Sequence, residues 1–136
     1  MSFTKLRYHV VFATKKRQRL LSGSVKKFCL RAFDEHSREV GAYLLARGGV
    51  EDHVHLVPAI PPTMAVSDYV KRVKRRTTIS IKREYPRIGH FAWQRGYGAF
   101  TLSPFEMTEV IAYVRTQEQR HARSELWEDF ERLTGS

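Results

Sequence analysis

Four residues of this chain have types and spacings that can do chemistry. His53 and His55 stand two apart in "EDHVHLV", and Tyr113 stands four before Gln117 in "YVRTQEQ". On a strand, residues i and i+2 point to the same face. The two imidazoles therefore sit side by side and can share one divalent ion. The alternation gives Val54 and Leu56 the buried face and leaves both histidines on the opposite one. His9 lies on the less apolar side of its own strand and is a candidate neighbour there. With 6 histidines in 136 residues, a His-x-His pair arises easily by chance, and two half-exposed strand histidines would read the same way.

The tyrosine comes from a helix with a clear start. In "SPFE", Ser103 suits the N-cap, Pro104 the first helical position and Glu106 the third. The helix is expected to run to about His121. Its core stripe is Met107, Ile111, Val114 and the aliphatic part of Glu118. A second stripe carries Glu106, Tyr113, Gln117 and Arg120. At about 100° per residue, Tyr113 lies roughly 100° or more from most of the core stripe. A tyrosine packed on a neighbouring helix or a dimer partner would look the same. With a cation at the histidines, its hydroxyl can instead act as a covalent nucleophile on a phosphodiester that the cation polarises. Gln117 then completes the coordination or orients the phosphate. Asp52 either orients a histidine or simply suits the turn in which it stands.

Charge points to the substrate. Lys plus Arg number 24 and Asp plus Glu 14, a net +10. A basic domain of this size suits a polyanion, although a merely soluble basic surface is the plainer reading. The cations cluster: Lys15, Lys16, Arg17 and Arg19 in one loop, and Lys71, Lys74, Arg75, Lys82 and Arg83 along one helix. With Arg95 and Arg120 they are expected to hold a DNA backbone. Trp93, Tyr97 and Phe100 are candidates to stack unpaired bases, Phe100 being equally a core candidate.

These residues need a scaffold, and the pattern supplies one. Lys5–Thr14 alternates as a strand, with Leu6, Tyr8, Val10 and Phe12 on its apolar face. Val25, Phe28, Cys29, Ala32, Phe33 and His36 recur at helical spacing between a Ser22/Ser24 cap and Gly41. "AYLLARG" is a second strand. Gly48, Gly49, Glu51 and Asp52 suggest a hairpin turn, with a bulge as one option. "HVHLVPAI" is the third strand, stopped by Pro61 and Pro62. A helix from about Ala65 to Glu84 buries Val66, Val70, Val73 and Thr77. Trp93–Ser103 reads as a fourth strand, and a short amphipathic helix ends near Leu133. The order β-α-β-β-α-β followed by helices is the α+β, ferredoxin-like arrangement with a four-stranded antiparallel sheet. All of residues 1–136 form one expected domain.

No run of 18 apolar residues occurs, so no membrane partner is expected. The N-terminus lacks the pattern of a signal peptide. The single Cys29 cannot form an internal disulfide, which suits a reducing, cytoplasmic setting.

The chain resembles the single-tyrosine HUH transposases of the smallest bacterial insertion sequences and of palindromic repeats. The resemblance rests on "YHVVFATKKR", "EDHVHLV", "VSDYVKRVK", "WQRGYGAF" and "YVRTQEQ", which span nearly the whole chain in order. It implies nicking and rejoining of single-stranded DNA at mobile-element ends through a 5′-phosphotyrosine. By the same resemblance, His53, His55 and Gln117 hold Mg²⁺ or Mn²⁺ and Tyr113 is the nucleophile. It further implies recognition of a DNA hairpin near the element end, and a homodimer in which the partner's tyrosine helix can complete the site in trans. The tail "ARSELWEDFERL" does not match the family pattern.

Two rivals stay open. One is a non-catalytic module that binds single-stranded DNA or RNA on the same fold. The other is a metal hydrolase that uses water in place of Tyr113.

Overall fold

The computed structural model describes residues 3–116. Among these residues four strands are present: β1 (Tyr8–Ala13), β2 (Tyr43–Gly49), β3 (His53–Ala59) and β4 (Gly98–Thr101). They form one antiparallel sheet in the order β2-β3-β1-β4. Three α-helices accompany them, α1 (Gly23–Glu39), α2 (Val66–Glu84) and α3 (Met107–Arg115). With consecutive strands β2 and β3 paired at one end and β1 between β3 and β4, this is the ferredoxin-like sheet expected from the pattern.

Alternation decides the two faces. Val10 and Phe12 of β1 and Val54 and Leu56 of β3 enter the main core with Cys29 and Phe33 of α1 and Tyr69, Val70, Val73 and Ile81 of α2. Both crossover helices thus cover one face. Tyr69 and Ile81 belong to the α2 stripe as much as Val70, Val73 and Thr77 do. The Tyr69 hydroxyl is satisfied inside the core by Ser37, at 2.8 Å.

The other face carries His9, Val11 and Ala13 on β1 and His53, His55 and Val57 on β3. α3 lies over it. Val114 is fully buried against Ala46 and Val57, with Met107, Val110, Ile111 and Tyr113 packed around them. The two histidines are on the face that alternation assigns them, but they do not face solvent. His9, His53 and His55 are each 0% exposed, because a helix covers that side of the sheet.

Several boundaries differ from the sequence reading, each for a local reason. Gly48 and Gly49 pair within β2, opposite His55 and Val54, so the turn is only Val50–Asp52. The irregularity in β2 lies earlier, between Leu44 and Ala46, where the register shifts. β4 is shorter than Trp93–Ser103. Trp93 makes only an isolated bridge with Thr14, and Gly96 at φ +84° turns the chain before pairing resumes at Gly98. α3 begins at Met107, not Pro104. Ser103–Glu106 forms a turn, closed by the Glu106 amide donating to the Ser103 carbonyl at 3.1 Å. The Ser103 amide donates to the Glu106 carboxylate at 2.9 Å, which is half of the expected capping box. The expected end of this helix near His121, the tail helix, Gln117 and Arg120 lie outside the described residues.

Candidate active site

Three strands and one helix converge on the histidines. β3 holds His53 and His55, and β1 pairs with it so that Val11 stands opposite His55 and Ala13 opposite His53. His9 lies one step further along the same face. Its Nε2 is 2.7 Å from His55 Nδ1, and the two ring centroids are 4.9 Å apart. His53 and His55 stack at 5.3 Å in an edge-on arrangement. Across the sheet, Phe100 of β4 pairs with His9, and their rings lie 6.3 Å apart.

Tyr113 closes the site from above. Its ring centroid is 5.7 Å from that of His55 and 6.2 Å from that of His9, edge-on to both. The helix can come this close because Gly48 has no side chain. Gly48 stands opposite His55 in the β2–β3 register, and a Cβ built on it would collide with the Val114 carbonyl oxygen.

Each histidine of the pair has its Nδ1 within hydrogen-bond distance of a neighbour. The His53 Nδ1 donates to Asp52 Oδ1 at 2.8 Å. A carboxylate of this kind only accepts, so Nδ1 carries a hydrogen, and in a neutral ring the lone pair is then on Nε2. Asp52 also takes the Arg17 Nε at 3.2 Å. It therefore joins the basic loop to the histidine strand, a link sequence reasoning did not reach because 35 residues separate the partners. Burial works against the charged Asp52 carboxylate, but the His53 hydrogen bond and Arg17 outweigh it and hold its pKa below the ordinary value.

The other two imidazoles are kept neutral. Burial lowers the His9 pKa to about 4. Burial, reinforced by the neighbouring His9 and His53, pushes His55 well below its ordinary value. The Nε2 of His55 is buried with no hydrogen-bond partner among the described residues. A neutral imidazole with an orphaned, buried nitrogen suits a cation ligand. Among the described residues no third His, Cys, Asp or Glu completes a metal-holding cluster, so a cation held by His53 and His55 would need a further ligand.

A second feature is cationic. Lys15–Arg17 form a single 3-10 turn in which Lys16 and Arg17 take φ of 57° and 55°. Such backbone is costly for residues with a Cβ and persists only where its surroundings hold it. Here the Thr14 hydroxyl donates to the Gln18 carbonyl at 2.7 Å, and the Arg17 amide donates to the Thr14 carbonyl at 3.0 Å. The turn lines a groove of about 710 Å³ with Trp93, Gln94 and Arg95. A second groove, of about 400 Å³, shares Ala92 and Trp93 and adds Lys74, Arg75 and Lys82. The basic loop and the basic helix, distant in sequence, thus border one continuous band.

The cations expected to face DNA are not all placed alike. Lys15, Lys16, Arg19, Lys71, Arg75 and Arg95 are exposed, while Arg17 is half-buried. Lys74 turns inward. Its ammonium donates to the carbonyls of Gln94 and Gly96 at 2.8 and 3.0 Å and stands 5.3 Å over the Phe12 ring. Burial lowers its pKa to about 8. Lys74 therefore shapes the groove wall. Trp93 is wedged edge-on between Phe12 and Phe91, at 4.8 and 4.9 Å, and Tyr97 packs against the same core.

The chain is similar to known proteins along nearly all of its length. Residues 2–117 match the family model described as Transposase IS200 like. The ISDra2 transposase TnpA of Deinococcus radiodurans is 24% identical over 121 residues, 85% of this chain and 86% of that protein. The transposase for insertion sequence element IS200 of Salmonella typhimurium is 22% identical over 116 residues, 82% of this chain and 76% of that protein. The crystal structure of a Deinococcus radiodurans R1 protein assigned as a transposase superposes with a TM-score of 0.72 at 25% identity. It covers 85% of this chain and 93% of its own. A REP-associated tyrosine transposase bound to a REP hairpin shares the fold, with a TM-score of 0.66 at 13% identity over 96% of this chain and 77% of its own. A family model that spans the sheet, the histidine pair and the tyrosine helix together carries one conclusion: this chain belongs to the IS200-like transposase family.

Proposed function

We propose that the protein cuts and rejoins single-stranded DNA at the ends of a mobile element through a covalent tyrosine intermediate. The observation that carries this is the packing of the Tyr113 ring against the His55 and His9 rings, on the sheet face away from the main core. The Tyr113 oxygen attacks a backbone phosphorus. A bond from the tyrosine oxygen to phosphorus forms and the bond to the 3′ oxygen breaks, leaving a 5′-phosphotyrosine and a 3′-hydroxyl. The proton Tyr113 loses is matched by the one the 3′ oxygen gains. The reverse attack by a 3′-hydroxyl rejoins the strand with no added energy.

His53 and His55, with Gln117 as third ligand, would hold Mg²⁺ or Mn²⁺, which would neutralise charge developing on the attacked phosphate. Asp52 keeps the His53 ring oriented. The band formed by Lys15, Lys16, Arg17, Arg75, Lys82 and Arg95 would track the DNA backbone. The REP-hairpin-bound relative supports a hairpin near the element end as the DNA partner.

The test uses a single strand derived from an element end, with Mg²⁺ or Mn²⁺. A protein–DNA adduct that survives denaturation is expected, and it should disappear in Tyr113→Phe. An adduct that persists in that variant removes Tyr113 as nucleophile. Multiple-turnover cutting with no adduct would favour hydrolysis by water. A homodimer belongs to the same proposal. Because Tyr113 packs on the histidines of its own chain, we expect sites completed in cis. Mixing Tyr113→Phe with His55→Ala chains should then restore no activity, whereas sites shared in trans would regain it.

A further inference from the structure

His53 and His55 are held through the same ring atom by chemically different partners. For His53 the partner is the Asp52 carboxylate, which leaves one possible tautomer. For His55 it is another imidazole, His9 Nε2, 2.7 Å from His55 Nδ1. Two neutral imidazoles can share one hydrogen in two ways. In the first, His55 donates from Nδ1 and its Nε2 carries a lone pair. In the second, His9 donates from Nε2, and the only hydrogen of His55 sits on Nε2, where it bars a cation. The tautomers of the two rings are therefore coupled.

His9 is not placed for packing alone. It is 0% exposed and sits on the central strand β1, between β3 and β4. The following residues on this face of β1 are Val11 and Ala13, both buried. An apolar side chain would fill the His9 position without desolvating polar atoms. The imidazole there leaves its Nδ1 with no hydrogen-bond partner among the described residues. Its other nitrogen makes one hydrogen bond, and that bond goes to His55. Phe100 and Tyr113 confine the ring on either side, so it cannot turn away while α3 is seated.

We propose that His9 is a positioning residue for His55: its bare Nε2 accepts the His55 Nδ1 hydrogen and so keeps the His55 Nε2 lone pair available to a divalent cation. This rests on the reading of His53 and His55 as ligands. In the absence of a cation the two tautomer pairs leave equal numbers of buried groups unsatisfied. A cation at His55 Nε2 satisfies one of them only in the first pair. Cation binding and the His9 tautomer are thus linked, and removing the acceptor should weaken binding by about 10- to 100-fold, the usual effect of losing a ligand's supporting hydrogen bond.

The experiment measures Mn²⁺ affinity of the full chain by electron paramagnetic resonance of the free ion, with circular dichroism to verify folding. Wild type is compared with His9→Phe, His9→Gln and a His53→Ala/His55→Ala control. His9→Phe keeps a ring but no acceptor, and should bind about 10- to 100-fold more weakly. His9→Gln can present an amide oxygen near the same place and should recover most of the affinity. Wild-type affinity in His9→Phe, or equal losses in both variants, overturns the proposal. If wild type binds no better than the control, the metal-site reading itself fails. Should His9→Phe not fold, long-range ¹H–¹⁵N spectra of the wild type with Mg²⁺ decide the matter. His55 and His9 should both carry their hydrogen on Nδ1, and a hydrogen on His9 Nε2 overturns the proposal.

Discussion

Gly48 and the Val114 carbonyl touch at the point where the tyrosine helix meets the histidine sheet. Gly48 pairs with His55 across β2 and β3, and Val114 is the neighbour of Tyr113. Any Cβ on Gly48 would meet backbone that cannot rotate away. Gly48→Ala should therefore lift α3, at a cost of about 1–3 kcal/mol typical of overpacking, with the main sheet core left intact. Since a displacement of about 1 Å can cost about 10²-fold in rate, adduct formation should slow by that order. A Gly48→Ala protein that forms adduct at the wild-type rate would show that this contact does not place Tyr113.

Asp52 ties two functions together, because it binds His53 on one side and Arg17 on the other. Asp52→Ala should lower cation affinity by about 10- to 100-fold. It should also loosen the Lys15–Arg17 turn, whose positive-φ backbone depends on such ties. Arg17→Ala should weaken DNA binding but leave most of the cation affinity, since the carboxylate still holds His53. Isothermal titration of both variants with Mn²⁺ separates the two. Equal losses in cation affinity would mean that Asp52 holds His53 only while Arg17 holds Asp52.

The cations of the band should divide into two kinds. Lys16→Ala, Arg75→Ala and Arg95→Ala remove exposed charges. If each contacts one phosphate, each should reduce the salt slope of single-strand binding by about 0.7. Lys74→Ala should behave differently, because its ammonium bonds two carbonyls of the Gln94–Gly96 segment. It should lower the melting temperature and weaken binding with little change in slope. Fluorescence anisotropy across a salt series measures both quantities. A slope change for Lys74→Ala as large as that of the exposed cations would put its ammonium on DNA.

How far the sequence could be read depended on the range of the interaction. Alternation within one strand was enough to put His53 and His55 together and opposite Val54 and Leu56, and helical phase picked Tyr113 from its neighbours. Both are periodic signals within a single element. Strand order followed from the same elements taken in sequence. What escaped were relations between elements. The tie from Arg17 to Asp52 joins a loop to a hairpin turn. Gly48 and Gly49 suggest a turn by residue type, yet they pair in β2 because α3 needs a bare strand beneath Val114. Lys74 falls outside the expected α2 stripe but is drawn inward by two carbonyls and the Phe12 ring. Trp93 is a stacking candidate by residue type, and its contacts with Phe12 and Phe91 are equally out of reach of any signal within one element.

Acid should expose the neutral histidines. The His9 pKa falls from 6.5 in the unfolded chain to about 4 in the fold, and His55 moves in the same direction. Above pH 6.5 neither state binds the proton, and His9 adds no pH dependence. As pH drops below 6.5, the unfolded chain takes up a proton that the folded one refuses, so stability falls until pH reaches about 4. Each proton taken up only by the unfolded chain costs about 1.4 kcal/mol per pH unit of that window. Asp52 and Glu39 have lowered values, so they too lose stability in acid, but mainly below about pH 5 where unfolded carboxylates titrate. The interval from pH 6.5 to 5 therefore belongs to the histidines. Urea unfolding in EDTA should show stability declining through it, and His9→Gln should flatten the decline. A wild-type profile that stays level from pH 7 to 5 would mean that His9 and His55 accept protons inside the fold as readily as outside it.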